Sequence, residues 1–142
     1  MDFDIEVSFV KDCIKKDFQD RIIYELKSKK HREKAKSRFA HSSENMLKEC
    51  FKKLILYDLE SSINTNNSNT CCYVIGDLFD GEVILLKNAI EYLKKTYTPV
   101  ILIDSRFVVI KEEVEKNEPI LWIYKKIIFK AYKLSYIIFK IK

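Results

Sequence analysis

His31, Arg32, Arg38, His41 and Ser42 gather chemically capable side chains into one short stretch. Two histidines beside cationic groups are the parts of a metal-independent ribonuclease. One imidazole would take the 2′-hydroxyl proton, the other would protonate the leaving oxygen, and an arginine would steady the developing charge. Residues ten apart on a continuous helix are separated by about 15 Å along the axis and ~80° around it. That is too far to flank one phosphate unless the chain bends between them. The spacing therefore reads as two unrelated histidines, and a ribonuclease ranks third among the functions considered.

Acidic groups form two further sets. Asp77, Asp80 and Glu82 surround an Asp80–Gly81 pair, and Glu112, Glu113, Glu115 and Glu118 precede Pro119. Asp-Gly is a strong turn signal, because glycine accepts positive φ without steric cost. Asp80 is thus explained by turn chemistry, and Asp104 reads as a turn starter at a strand end. Asp104 has no second carboxylate or histidine at a supporting position, so no catalytic pair is assigned. Nucleophile-elbow, zincin, EF-hand and kinase patterns do not occur. With Gly 2 in the whole chain, phosphate-cradling glycine loops are excluded as well. The four cysteines, Cys13, Cys50, Cys71 and Cys72, contain no C-x-x-C spacing, and the two histidines lie far from any paired cysteines. They read as free thiols, and no metal or cofactor is expected.

The strongest charge feature is the run KSKKHREKAKSR at residues 27–38. Lys27, Lys29, Lys30, Arg32, Lys34, Lys36 and Arg38 stand against one acid, Glu33. Such a run is most often a solvated helix face. As a functional feature it would supply a salt-sensitive phosphate footprint, making nucleic-acid binding the second reading. Against that reading, the run holds no aromatic for base stacking, and no nucleic-acid-binding signature accompanies it.

The elements that must position these groups follow from the apolar period. Val7, Val10, Ile14, Phe18, Ile22 and Leu26 recur every three or four residues and predict a first amphipathic helix. Ser42 or Ser43 is a candidate N-cap for a second, with Met46 or Leu47, Cys50, Phe51, Leu54 and Tyr57 as its stripe. SSINTNNSNT, residues 61–70, is a loop by composition. Beyond it, CCYVIGDLFDGEVILL predicts a hairpin, and Leu86, Ala89, Ile90 and Leu93 predict a short helix ending before Pro99. VILID and FVVIK predict a second hairpin. ILWIY reads as a strand or a helix start. In the last twenty residues Ile127, Ile128, Ala131, Leu134, Ile138 and Phe139 fit a helical face opposite lysines, so a basic terminal helix is expected, with a strand as the alternative.

These pieces give an α+β domain over residues 1–142, with a helical part at 1–60, a loop at 61–70 and a strand-rich part at 71–142. N-terminal amphipathic helices are expected to pack on a small antiparallel sheet of two hairpins with an intervening helix. Net charge is +5, split as +2 for residues 1–60, −3 for 61–122 and +6 for 123–142. The first residues lack the basic start and apolar run of an export signal, and no apolar stretch is long enough to span a bilayer. A cytoplasmic location is therefore expected.

Two patches, RFAHSSENMLK from residue 38 and GDLFDGEVILLKNAIEYL from residue 76, resemble in layout the small immunity proteins of bacterial toxin–immunity systems, including those of contact-dependent growth inhibition. The resemblance covers about half the chain and carries no diagnostic motif. It implies a non-enzymatic protein that binds and neutralises a cognate toxin domain. The acidic sets Asp77, Asp80, Glu82 and Glu112, Glu113, Glu115, Glu118 would then be its inhibitory face. The basic net charge departs from the acidic character common among immunity proteins against nucleases.

Overall fold

A computed structural model describes residues 1–49, 51–55, 70–114 and 122–127, with 52–55 and 122–127 given as backbone strands. The chain is α+β. Helices α1 (Phe3–Cys13), α2 (Lys16–Lys27) and α3 (Arg32–Ser37) are followed by a 3-10 turn (Ser43–Asn45). Then come β1 (Lys52–Ile55), β2 (Cys71–Ile75), β3 (Val83–Leu85), α4 (Leu86–Lys95), β4 (Val100–Ile103), β5 (Phe107–Lys111) and β6 (Trp122–Ile127). The strands form one sheet in the order β1-β6-β5-β4-β2-β3 with antiparallel pairing throughout. Both expected hairpins, β2–β3 and β4–β5, are present and lie side by side through β2 and β4.

The two faces of this sheet carry different helices. Tyr73, Ile75, Ile101, Ile103, Val108 and Ile110 share a core with α1–α3, whereas Cys72, Val74, Val100, Leu102, Phe107 and Val109 share one with α4. Successive strand residues point to opposite faces, so strands covered on both sides are apolar at every position. That is why VILI and FVVI read as unbroken apolar runs. All three described cysteines are buried. Burial pushes the Cys72 thiol up, with Asp104 and Cys71 adding to the effect. Among the described residues no helix is long and apolar enough to cross a membrane.

Three sequence expectations are corrected. The predicted first helix is two helices. Asp2 caps α1 by accepting from the N–H groups of Asp4 and Ile5 at 3.1 and 3.3 Å. The helix then stops where Ile14 turns extended and bridges Leu47. Lys15 N–H donates to the Met46 carbonyl at 2.7 Å, and Lys48 N–H donates to that of Cys13 at 2.9 Å. Gln19 Nε2 satisfies the freed Ile14 carbonyl at 2.8 Å. The apolar period runs through the break because both helices face the same core, so periodicity could not reveal it.

The predicted second helix is mostly not helical. Ser42 sits in the left-handed region at φ 57°, and neither Ser42 nor Ser43 caps a helix with its side chain. Met46 and Leu47 take part in the bridge to α1's end, and residues 52–55 form edge strand β1 against β6. A short apolar run fits strand and helix alike, and here the unpaired edge of β6 decides it. Cys50, Tyr57 and residues 61–69 lie outside the described residues. Finally, the expected terminal helix does not include Ile127, because β6 occupies 122–127; residues 128–142 lie outside the description.

Candidate functional site

Helix α3 is only six residues long, yet it divides the basic run into two populations. Arg32, Ala35 and Lys36 face inward and are buried, while Glu33, Lys34 and Ser37 face out. Arg32 uses all five of its donors. Nη1 and Nη2 grip Glu6 Oε1 and Oε2 at 2.7 and 2.6 Å, and Nε and Nη2 grip Asp80 Oδ2 and Oδ1 at 2.7 and 3.0 Å. The remaining Nη1–H reaches the Leu26 carbonyl at 3.0 Å. One planar guanidinium thus links α1, the end of α2 and the β2–β3 loop. Burial works against the Arg32 charge, but the two carboxylates outweigh it and hold its pKa above the ordinary value. Asp80 is raised by burial and lowered more by Arg32, so it stays below the usual carboxylate range. Tyr73 on β2 donates its hydroxyl to Glu6 Oε2 and accepts from Asp2 N–H at 3.2 Å. Its phenol is pushed up by burial and by Glu6.

The same network fixes the loop over residues 76–82. Lys36 Nζ donates to the Gly76 carbonyl at 3.0 Å and pairs with Glu33 at 2.6 Å and Asp80 at 3.5 Å. Gly76 N–H donates to Asp80 Oδ1 at 3.3 Å. From the opposite face of the sheet, Tyr92 on α4 offers its hydroxyl oxygen to the N–H groups of Asp77 and Leu78 at 3.1 and 3.2 Å. A Cβ at residue 76 would stand 3.2 Å from that oxygen, so glycine permits the close approach. Gly81 takes φ 77°, and a side chain there would strike Met1. A loop anchored from both faces therefore projects Leu78, 71% exposed, between the exposed residues Asp77 and Glu82.

Set against the expectations, the acidic residues separate by role. Asp77 and Glu82 are exposed, whereas Asp80 is occupied by Arg32 and Lys36. Glu112 Oε2 accepts from Ser43 N–H at 2.6 Å, and Glu113 meets His41 Nε2 at 3.0 Å. Glu115 and Glu118 lie outside the described residues. In the basic run, Arg32 and Lys36 are not available to phosphate, and Arg38 is engaged with Glu25 through two bonds of 2.6 and 2.8 Å. The hydrogen bond from Arg38, outweighing burial, lowers the Glu25 pKa. Lys27, Lys29, Lys30 and Lys34 remain exposed. The two histidines have separate partners: His31 packs its ring against Tyr24, and His41 pairs with Glu113. Asp104 accepts from Ser105 Oγ and Arg106 N–H, the turn-starting role expected of it.

Sequence reasoning missed Glu6, Glu25, Tyr73, Tyr92 and Leu78. A signal existed for the first two, since Glu6 and Glu25 occupy inward positions of amphipathic helices. A carboxylate there must find a cation or remain neutral. Among the described residues no cluster of histidine, cysteine or acid could hold a metal ion. No protein-family model, curated protein or solved structure matches this chain.

Proposed function

We propose that this protein is a non-enzymatic binding module that acts in the cytoplasm and engages a protein partner through the loop over residues 76–82. The observation that carries the reading is the combination of Leu78's exposure with the anchoring of its loop. A scattered exposed leucine is ordinary. A leucine at the tip of a loop fixed from both faces of the sheet is different, because docking it costs little ordering entropy. Asp77 and Glu82 beside it favour a partner with a basic rim. The resemblance to immunity proteins suggests a cognate toxin domain as that partner, neutralised when the loop covers its working surface.

The test is calorimetric titration of this protein with a candidate cognate toxin domain. Leu78→Asp should weaken binding by roughly thirtyfold or more, the scale of an interface hot spot, with no change in the unfolding midpoint. Asp77→Lys with Glu82→Lys should mainly slow association. Equal affinity of Leu78→Asp and the parent protein would refute the assignment of the loop.

A further inference from the structure

The outward half of the basic segment carries a second surface. Lys27, Lys29, Lys30 and Lys34 are all exposed, and no carboxylate among the described residues lies within ion-pair distance of them. Glu33, their one acidic neighbour in the run, is drawn to Lys36 at 2.6 Å. Of the exposed carboxylates of α2, Asp17 lies about two turns before Tyr24, while Asp20 lies one turn before it on the same side and is the one acid bordering the ring. Like charges crowded on one short segment repel each other, and an anionic ligand would relieve that.

The fold also supplies what the basic run lacked in sequence. Tyr24, three residues before Lys27 and so on the same side of α2, is 63% exposed. Its ring lies against His31, with centroids 5.6 Å apart and planes at 32°. An open aromatic ring backed by a second ring and bordered by lysines matches a stacking platform beside a phosphate track. An acidic polypeptide would satisfy the lysines but has no use for the platform, whereas every nucleobase has a π-face to place on it. We propose that this face binds single-stranded nucleic acid. Lys27, Lys29, Lys30 and Lys34 would take backbone phosphates, and Tyr24 would take one base. The surface is separate from the 76–82 loop and does not depend on the toxin assignment.

Fluorescence anisotropy with labelled 12-mer oligo-dT and oligo-U tests it, with a duplex of equal length and a polyglutamate peptide as competitors. Single strands should bind with log K falling against log salt at a slope of about −3, four phosphates at ~0.7 each. Tyr24→Ala should weaken binding about tenfold, and Tyr24→Phe should retain it. The quadruple change of Lys27, Lys29, Lys30 and Lys34 to Ala should remove binding, while Leu78→Asp leaves it unchanged. Three results would overturn the proposal: no binding at low salt, preference for the duplex, or polyglutamate binding as tightly with indifference to Tyr24→Ala. The last would assign the face to an acidic polypeptide. Because all five side chains are at least partly solvent-facing, circular dichroism should show unchanged folding in each variant.

Discussion

Arg32 and Lys111 are both buried cations, and the protein treats them oppositely. Arg32 meets two carboxylates and a carbonyl with five hydrogen bonds, and its charge is held more firmly than in water. Lys111, fully buried at the end of β5, donates among the described residues to one carbonyl, that of Thr96 at 2.8 Å. Burial pulls its pKa down to about 8, with the charge of Glu113 opposing the change only in part. Thr96 is the C-cap of α4, so Lys111 answers the negative end of that helix with a single bond. The difference is one of partners, not depth. A planar guanidinium offers five donors in fixed directions and can bind three elements together, whereas an ammonium held by one carbonyl is left poorly compensated.

The largest expected effect comes from removing the well-compensated cation. Arg32→Ala strips Glu6 of its counter-charge and leaves Asp80 only the longer contact with Lys36 at 3.5 Å. It should destabilise the fold by about 3–5 kcal/mol, the usual cost of breaking a buried pair on one side. Urea denaturation checks this through the midpoint. Adding Glu6→Gln to the Arg32 variant should recover part of the loss, because the orphaned charge is then gone. If Arg32→Ala costs no more than an exposed lysine change such as Lys29→Ala, the network is not holding α1 and α3 to the loop.

A smaller loss is expected at the network's edge. Tyr73→Phe deletes the hydroxyl that donates to Glu6 and accepts from Asp2 N–H. Glu6 keeps both bonds to Arg32, so the cost should be ~1–2 kcal/mol, near the lower range for hydrogen bonds to charged groups. The Tyr73 and Arg32 changes should add to less than their sum, since both act on the same carboxylate. Simple additivity in the same urea assay would show that the two contacts are energetically separate.

Much of this arrangement was legible in the chain, and what was not has physical causes. The hairpins were readable because CCYVI, VILI and FVVIK are β-rich and the Asp80–Gly81 turn announces itself. α4 was readable from Leu86, Ala89, Ile90 and Leu93. The break at Ile14 was not, because it depends on Leu47, which is distant in sequence. β1 was not, because Lys52–Ile55 becomes a strand only when β6 is beside it. For the site, the turn chemistry of Asp80 was visible but its partner was not. The run over residues 27–38 shows seven equivalent cations on paper, and only packing separates Arg32 and Lys36 from Lys27, Lys29, Lys30 and Lys34. Tyr24 lies outside the run and so escaped notice as its aromatic companion.

The smallest effect should have the opposite sign. Lys111→Met removes a poorly compensated charge while keeping a similar length of apolar chain in the same place. It should stabilise the protein by about 1 kcal/mol near neutral pH, less the one bond to Thr96. The pH dependence distinguishes this from better packing. In the unfolded chain Lys111 keeps its proton up to the ordinary lysine range near 10.5, and in the folded protein it releases it at about 8. Below pH 8 both states are charged and the folded state bears the full penalty. Between about 8 and 10.5 the unfolded state binds more protons, so this group's contribution to stability rises with pH. The advantage of Lys111→Met over the parent should therefore be greatest at pH 7 and shrink by pH 10. Measuring both proteins at each pH cancels the titration of every other group. An advantage independent of pH would mean that methionine merely fills the space better, and the contrast with Arg32 would then rest on shape and not on charge.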